Sequence, residues 1–157
     1  MTMTPRLGKE TIGFMEEVLN KKSVVLEFGS GRSTIWFAKI VKEIITHENS
    51  LAWFYFVTES ANQEGLQNIR LIFDSKYWSL GDWGKAFDLI LIDGKKRLQC
   101  AMRSIPFLKS GGYVVLDNAE FRKNQPAVEF LNSLGWESKQ LGGFKRKAFA
   151  IAWRKPQ

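Results

Sequence analysis

The sequence predicts a three-layer α/β/α fold in which helices cover both faces of a seven-stranded, mostly parallel sheet. The apolar run at residues 24–28 is rich in β-branched residues and ends at Gly29 and Gly31, which is typical of a buried strand followed by a tight turn. Predicted strands then alternate with predicted helices along most of the chain, and this order favours parallel pairing. The last two strands follow each other directly around Gly142 and Gly143, which predicts an antiparallel hairpin.

Apolar spacing and chain breakers give the predicted bounds of the elements. Helices are predicted at residues 7–20, 34–41, 50–64, 96–108 and 125–134. Strands are predicted at residues 23–28, 43–47, 68–73, 87–92, 113–116, 136–141 and 148–153, with a loop over residues 75–85. A hydroxyl of Ser30, Ser33 or Thr34 is expected to cap the second helix. The sequence contains no repeat, linker or low-complexity segment, so residues 1–157 are expected to form one domain.

The composition is that of an ordinary globular chain. Of its 157 residues, 45% are hydrophobic and 25% are charged. No apolar run approaches the roughly 20 residues of a membrane-spanning helix, and the first residues lack the apolar segment of a secretory signal. Cys100 is the only cysteine, so an internal disulfide is excluded. These observations predict a cytoplasmic protein with no membrane partner.

The chain is basic, with 23 Lys and Arg against 16 Asp and Glu and a formal net charge of +7. Such a balance can indicate an anionic partner such as nucleic acid. The charges are spread along the sequence, however, with only two small clusters, at residues 95–97 and 145–147. Solvated surface is therefore the preferred interpretation, and nucleic acid is not expected as a partner.

Acidic residues stand at the ends of the five predicted parallel strands. Glu27 lies two residues before Gly29, and Glu48, Asp74, Asp93 and Asp117 each follow a later strand. Because the carboxyl ends of parallel strands meet at one edge of a sheet, these carboxylates would repel one another unless a ligand, a metal or hydrogen bonds compensated. Asp can also close a turn or cap a helix. Five acids at the edge where α/β sheets bind ligands predict a binding site there.

Several segments together resemble the class I S-adenosylmethionine-dependent methyltransferases. E-F-G-S-G resembles their motif I, written (D/E)-x-G-x-G, and I-T-H-E-N-S resembles the end of their second strand. F-D-S looks like their third-strand turn, F-D-L-I-L-I-D-G like motif IV, and L-K-S-G-G-Y-V-V-L-D-N like the fifth strand with its glycine turn. The C-terminal segment looks like their antiparallel last strands. The resemblance covers nearly the whole chain and implies the Rossmann-like methyltransferase fold.

The resemblance also implies how S-adenosylmethionine would be held. It assigns Glu27 to the cationic amino end, Glu48 to the two ribose hydroxyls and Asp74 to the adenine amino group. Gly29 and Gly31 would let the ligand lie against the backbone, and Phe28 or Trp78 would cover an adenine face. The cofactor-binding residues so implied are Glu27, Phe28, Gly29, Ser30, Gly31, Glu48, Asp74, Ser75 and Asp93.

Within that family the pattern is most similar to the small-molecule O-methyltransferases of the catechol and caffeoyl-coenzyme A type. In them the residues that match Asp93, Asp117 and Asn118 bind a divalent metal that activates the acceptor hydroxyl, and oxygen ligands of this kind suit Mg²⁺. The following segment, G-K-K-R-L-Q-C, lacks their usual aromatic residue and looks more like a group with D-G-x-x-R-x-x-C. The metal therefore stays open, while Asp93, Asp117 and Asn118 are the predicted catalytic residues. Acids and an amide suit a neutral hydroxyl, and an anionic acceptor only with a metal.

Two other functions remain open at this point. One is an NAD(P)-binding oxidoreductase, since an acid after the second strand is common to both families, although Thr34 stands where the third glycine or alanine of the dinucleotide fingerprint belongs. The other is a binding protein that keeps the fold without catalysis. His47, the only histidine, lies beside the predicted ribose acid and is expected to be structural.

Overall fold

A computed structural model describes residues 3–75, 83–143 and 148–157. The helices are α1 Lys9–Val18, α2 Arg32–Ile40, α3 Leu51–Gln63, α4 Arg97–Ser104 and α5 Gln125–Ser133. The strands are β1 Val24–Phe28, β2 Glu43–Glu48, β3 Ile69–Phe73, β4 Phe87–Ile92, β5 Leu108–Leu116, β6 Glu137–Gly142 and β7 Phe149–Arg154. None of the described helices is long and apolar enough to cross a membrane.

All seven strands belong to one sheet, in the order β3-β2-β1-β4-β5-β7-β6. The five strands from β3 to β5 pair in parallel, whereas β7 runs antiparallel to both β5 and β6. The predicted architecture, a mostly parallel sheet with an antiparallel final hairpin, is therefore confirmed. The hairpin places β7 between β5 and β6, so the last strand in the sequence is not an edge strand of the sheet.

Alternate residues of the central strands face two different helical layers. Leu26 and Phe28 pack in the larger core cluster with residues of α4 and α5. Val25, one position away, packs in a second cluster with residues of α1 and α2. This period of two is the strand geometry that makes both faces of a parallel sheet apolar. It also fixes the orientation of Glu27, which shares the face of Val25 and lies beneath α2.

Three boundaries differ clearly from the predicted ones, and each has a local cause. The helix predicted over residues 96–108 ends at Ser104, because Pro106 has no backbone N–H with which to continue it. A short 3-10 turn, Ile105–Phe107, follows. The fifth strand consequently begins at Leu108, earlier than expected, with Gly111 in a left-handed conformation (φ 75°). The second helix begins at Arg32 with Gly31 as its N-cap, which donates its amide to the Thr34 hydroxyl.

Backbone hydrogen bonds continue the sheet beyond the ends of its parallel strands. The amide of Gly29 donates to His47, that of Asp93 to Phe28 at 3.0 Å, and that of Asp117 to Ile92 at 3.2 Å. The amide of Asp74 donates to Glu48 in the same way. These bonds hold the glycine turn after β1 level with Glu48 at the end of β2 and with the acidic residues that follow β3, β4 and β5. The predicted alignment of the five acids at one edge is thus present in the structure.

Candidate functional site

A cavity of about 520 Å³ opens at this edge of the sheet. Its wall includes the turn formed by Gly29, Ser30 and Gly31, the carboxylates of Glu48 and Asp93, and the exposed ring of Trp53. The volume lies in the range typical of small-molecule sites. Gly29 adopts φ +93°, and a Cβ built there would lie 2.9 Å from the Gly94 backbone. The turn therefore packs against the loop after β4 as closely as only a glycine allows.

Glu27 does not reach the cavity surface. Its carboxylate is fully buried and accepts hydrogen bonds from the hydroxyls of Ser33, Thr34 and Thr46. Burial raises the pKa of Glu27 to about 7, although the three hydroxyl bonds act in the opposite direction. Thr34 also accepts the amide of Gly31, so one chain of bonds joins Glu27 to the glycine turn. The geometry gives Glu27 a supporting position beneath the turn, and a direct contact with a ligand stays a prediction.

Glu48 lies in the cavity wall, and both of its carboxylate oxygens accept hydrogen bonds from the protein. Its Oε2 accepts the amide of Ser30 at 2.7 Å and the Ser30 hydroxyl at 2.9 Å. Its Oε1 accepts the amides of Asn49 and Ser50, both at 2.8 Å. A carboxylate offers about four lone-pair positions, so all of them are in use. Of the four donors only the Ser30 hydroxyl can rotate away, and it occupies the place that a ligand hydroxyl would need.

Asp93 and Asp117 are brought together after β4 and β5. Their carboxyls hydrogen-bond to each other. Burial, and to a smaller extent the negative charge of Asp117, raises the pKa of Asp93 to about 8. The pKa of Asp117 is also raised by burial. Two carboxyls this close retain a shared proton near neutral pH, because a second negative charge there would be repelled. The pair can therefore accept one further proton at its unprotonated oxygen.

Arg97 holds this pair in place, and the sequence analysis did not assign it that role. Its guanidinium donates to the carbonyl of Gly94 at 2.9 Å and to the carbonyls of Asp93 and Asp117. It also lies 3.7 Å from the Asp93 carboxylate. Arg97 thereby joins the ends of β4 and β5. The i, i+4 spacing of Asp93 and Arg97 in the sequence is a signal that could have pointed to it.

Four other predicted residues lie away from the cavity wall. Phe28 is fully buried and stacks on His47, and it packs edge-on against Trp83, so it does not present a face to the cavity. Asp74 is buried, Ser75 is exposed, and neither lines the cavity. Asn118 adopts a left-handed conformation (φ 48°) and closes the turn after β5 through its carbonyl. Trp78 lies outside the described residues.

The cavity is markedly basic, which the spread of charges along the sequence did not indicate. The five cations in its wall come from four separate segments: Arg6, Arg32, Lys95 with Arg97, and Lys123. Only two acids, Glu48 and Asp93, line it among the described residues. The Arg6 guanidinium lies 5.7 Å from the centre of the Trp53 ring, so the N-terminal segment borders the cavity as well. These residues converge only through folding. The other cluster, at residues 145–147, lies outside the described residues.

Comparison with solved structures identifies this architecture. An rRNA methylase from Streptococcus thermophilus matches with a TM-score of 0.78 at 17% identity, over 99% of both chains. A protein of Streptococcus mutans, described as a methyltransferase and solved with SAH, matches with a TM-score of 0.77 at 14% identity, over 98% of this chain and 99% of that one. A SAM-dependent O-methyltransferase from Thermotoga maritima gives 0.77 at 15% identity, over 100% of this chain and 69% of that one. The chain has the class I methyltransferase fold. No family model and no curated protein sequence matches it.

The residues present do not fit the divalent metal that some enzymes with the class I methyltransferase fold carry. Asp93 and Asp117 bond to each other, and the guanidinium of Arg97 already supplies a positive charge beside them. Within the described residues no group of three His, Cys, Asp or Glu side chains is placed to hold a metal ion. The pair is therefore balanced by protein groups alone.

The buried acids of this site predict a specific dependence of stability on pH. Because burial raises the pKa of Glu27 to about 7 and that of Asp93 to about 8, the folded state binds protons that the unfolded chain has released. Stability should therefore fall as pH rises from 6.5 to 8, by about 1–2 kcal/mol. Below pH 6.5 His47 opposes this trend. Burial lowers the pKa of His47 to about 4, so the folded state keeps the ring neutral while the unfolded chain binds a proton, and stability falls as the pH is lowered. Urea denaturation across this range measures the slope.

A matched variant isolates the contribution of Glu27. Glu27→Gln keeps the side-chain size and removes the titration, so its unfolding free energy should vary less with pH than that of the wild type. Stability that increased between pH 6.5 and 8 would contradict the assignment of raised pKa values to these acids.

Proposed function

We propose that this protein is an S-adenosylmethionine-dependent methyltransferase that transfers the methyl group to a hydroxyl oxygen. The observation that carries the proposal is the position of Glu48. Its carboxylate lies in the cavity wall, directly bonded to the glycine turn after β1. A carboxylate accepts hydrogen bonds from the vicinal hydroxyls of a ribose, and the turn allows a ligand to approach the backbone closely. Gly31, whose Cβ would meet the Trp53 ring at 3.6 Å, leaves room beside that ring.

The strand order argues against the NAD(P)-binding alternative. Dinucleotide-binding domains have the parallel order 3-2-1-4-5-6, whereas this sheet inserts an antiparallel β7 between β5 and β6. In addition, Thr34 replaces the third small residue of the dinucleotide fingerprint. Its hydroxyl is buried and bonded to Glu27 and Gly31, so it is part of the support beneath the turn.

The chain itself would contribute binding, orientation and a proton acceptor. When bound, S-adenosylmethionine supplies an electrophilic methyl group on a sulfonium. Glu48, Gly29 and Gly31 would hold its ribose and tail. The pair formed by Asp93, in the wall, and Asp117 shares one proton, and it would take the proton of the attacking hydroxyl on its unprotonated oxygen as the new oxygen–carbon bond forms and the carbon–sulfur bond breaks. Because burial raises the pKa of both carboxyls, the pair holds the proton that it gains more tightly than an ordinary carboxylate would.

For the methyl acceptor, the proposal names only the reacting group, a hydroxyl. The resemblance to O-methyltransferases favours a hydroxyl on a small molecule. The names of the structural neighbours include both an O-methyltransferase and an rRNA methylase, so they do not choose between acceptor classes. The proton-accepting pair is the feature of the site that supports an oxygen acceptor, because a hydroxyl must lose its proton whereas a thioether or a tertiary amine need not.

Calorimetry on the purified protein tests the cofactor directly. Titration with S-adenosylhomocysteine is expected to show saturable binding in the micromolar range, about −8 kcal/mol. NAD⁺ and NADP⁺ under the same conditions should show no heat of binding. A preference for either dinucleotide would overturn the proposal.

Two variants at the ribose position are expected to move affinity in opposite directions. Glu48→Ala removes the acceptor for a ligand hydroxyl and three hydrogen bonds that hold the backbone around it, and it should weaken S-adenosylhomocysteine binding by about 1.5–3 kcal/mol. Ser30→Ala removes the hydroxyl that competes for Oε2 of Glu48 and should leave affinity unchanged or raise it severalfold, by up to about 1 kcal/mol. If Glu48→Ala bound as the wild type does, or Ser30→Ala bound far more weakly, the ribose would have to lie elsewhere.

A further inference from the structure

A second hollow, of about 370 Å³, adjoins the cavity on the side of the proton-accepting pair. It lies between the turn after β4 and the beginning of α5, and Gln99 and Pro126 form part of its wall. Gly94, Lys95 and Lys123 line both the hollow and the main cavity. Asp93 immediately precedes Gly94, so a molecule seated in the hollow lies beside the carboxyl that would accept the proton.

Every charged residue that lines the hollow in the described part of the chain is a cation. Lys95, Lys96, Arg97 and Lys123 belong to its wall, and no acid lines it among the described residues. Arg97 donates inward to three backbone carbonyls and so belongs to the structure of the loop. A cleft of one charge sign concentrates ligands of the opposite sign. The hollow is therefore suited to an anion.

Lys95 and Lys123 are the lysines that line both the hollow and the main cavity. Both are exposed, and neither forms an ion pair with an acid in the described part of the chain. Other surface lysines are paired: Lys85 lies 2.6 Å from Glu43, and Lys109 lies 2.9 Å from Asp88. The Lys123 ammonium lies over the Phe121 ring, 5.7 Å from its centre, and this contact leaves its charge unneutralised. Two ammonium groups without an acidic partner near the reacting position leave positive charge that a bound anion would neutralise.

We propose that this hollow binds a phosphate group of the methyl acceptor, with Lys95 and Lys123 as its ligands. The inference rests on the proposed methyltransferase function, because it places the acceptor next to Asp93. Phosphate suits the site better than carboxylate. Lys binds phosphate as a point charge, whereas a carboxylate is matched best by the fork of an Arg, and the fork of Arg97 is occupied.

A phosphate bound by these lysines also changes the expectation from the sequence that the acceptor is uncharged. Acids and an amide after β4 and β5 suit an anionic acceptor poorly unless a metal intervenes. The structure places lysines at this position, and they can balance the charge of the acceptor without a metal. The same phosphate chemistry is offered by a small phosphorylated alcohol and by the backbone of an RNA strand, and the experiment separates these two sources.

The test compares two double variants with equal loss of charge. Lys95→Gln/Lys123→Gln removes the proposed ligands, and Lys22→Gln/Lys42→Gln removes two exposed lysines near the amino ends of β1 and β2, at the opposite edge of the sheet. Inorganic phosphate is titrated into each ¹⁵N-labelled protein and followed by NMR. We expect shifts in the amides of residues 94–98 and 122–126, and a loss of affinity of about tenfold or more only in the first variant.

Further probes identify the source of the phosphate. Glycerol 3-phosphate and a single-stranded RNA oligonucleotide are titrated under the same conditions at several salt concentrations. RNA that binds more tightly than inorganic phosphate, with a salt dependence reduced in Lys95→Gln/Lys123→Gln, supports a backbone phosphate. Tighter binding of glycerol 3-phosphate without that effect for RNA supports a small ester.

Three results would overturn the inference: no shift at residues 94–98 and 122–126 with any phosphate probe, equal weakening in both double variants, or acetate binding as tightly as phosphate. All titrations are done with and without S-adenosylhomocysteine. Failure of the proposed function appears as absent binding of S-adenosylhomocysteine to the wild type, whereas failure of this inference appears in the phosphate titrations alone.

Discussion

Replacing both members of the acidic pair, in an Asp93→Asn/Asp117→Asn variant, is expected to lower methyl transfer by about 10²–10⁴-fold, because it removes the group that accepts the hydroxyl proton. The substitutions keep the size of the side chains. Affinity for S-adenosylhomocysteine should stay within about threefold of the wild type, since Glu48 and the glycine turn hold the ribose. The measurement is transfer of labelled methyl to a screen of hydroxylated molecules, including phosphate esters.

Asp88 provides the matched control for this experiment. Asp88 lies near the amino end of β4, the strand whose other end precedes Asp93. There it accepts a hydrogen bond from the amide of Val24 at 2.8 Å and forms an ion pair with Lys109. Asp88→Asn should leave the transfer rate close to that of the wild type. Full activity in the Asp93→Asn/Asp117→Asn variant would remove the pair from the mechanism. A wild type that binds S-adenosylhomocysteine but methylates nothing in the screen would favour the non-catalytic alternative.

The second large effect is expected at the glycine turn. Gly29→Ala should lower the free energy of unfolding by about 2–4 kcal/mol, because the residue has φ +93° and its new Cβ would lie 2.9 Å from the backbone of Gly94. Backbone atoms cannot move aside as a flexible side chain can. The turn and the loop after β4 would have to separate, so binding of S-adenosylhomocysteine should be weakened as well. Chemical denaturation and calorimetry measure the two effects.

Two other glycines separate the causes of that loss. Gly65 also has a positive φ, +65°, but nothing lies within 4 Å of a Cβ built there. Gly65→Ala should therefore cost only the conformational part, about 1 kcal/mol. Gly13 lies inside α1 in open space, so Gly13→Ala should stabilise the protein by about 0.5–1 kcal/mol. If Gly29→Ala cost no more than Gly65→Ala, the close contact with Gly94 would not be a constraint.

Much of the fold and part of the site follow from local sequence patterns. Apolar runs ending at glycine or acidic residues marked the strands, and their alternation with helices predicted the parallel sheet that the structure shows. The positions of Glu48 and Asp93 after β2 and β4 placed both at the ligand-binding edge, where both line the cavity. The turn from Gly29 to Gly31 was identified for the same reason. Each of these features depends on residues that are neighbours in the sequence.

The direction and partners of each side chain depended on the tertiary structure. Glu27 and Phe28 are adjacent, but the alternation of a strand sends one beneath α2 and the other into the core with His47. Glu27 is enclosed because Thr46, far along the chain, lies beside it on β2. No local pattern shows which hydroxyl will meet a buried carboxylate.

By itself, the sequence determined that strands alternate with helices, and that the acidic residues and glycines at the strand ends meet at one edge of the sheet. That much needs only the period of two in strands and the conformational freedom of glycine. Only the tertiary structure decided the charge of the site. Arg6, Arg32 and Lys123 are separated by long stretches of chain, and they line one cavity because the topology brings the ends of different segments to the same edge. Electrostatic potential adds over distance in space, so charges that are spread along a sequence can still form one basic site.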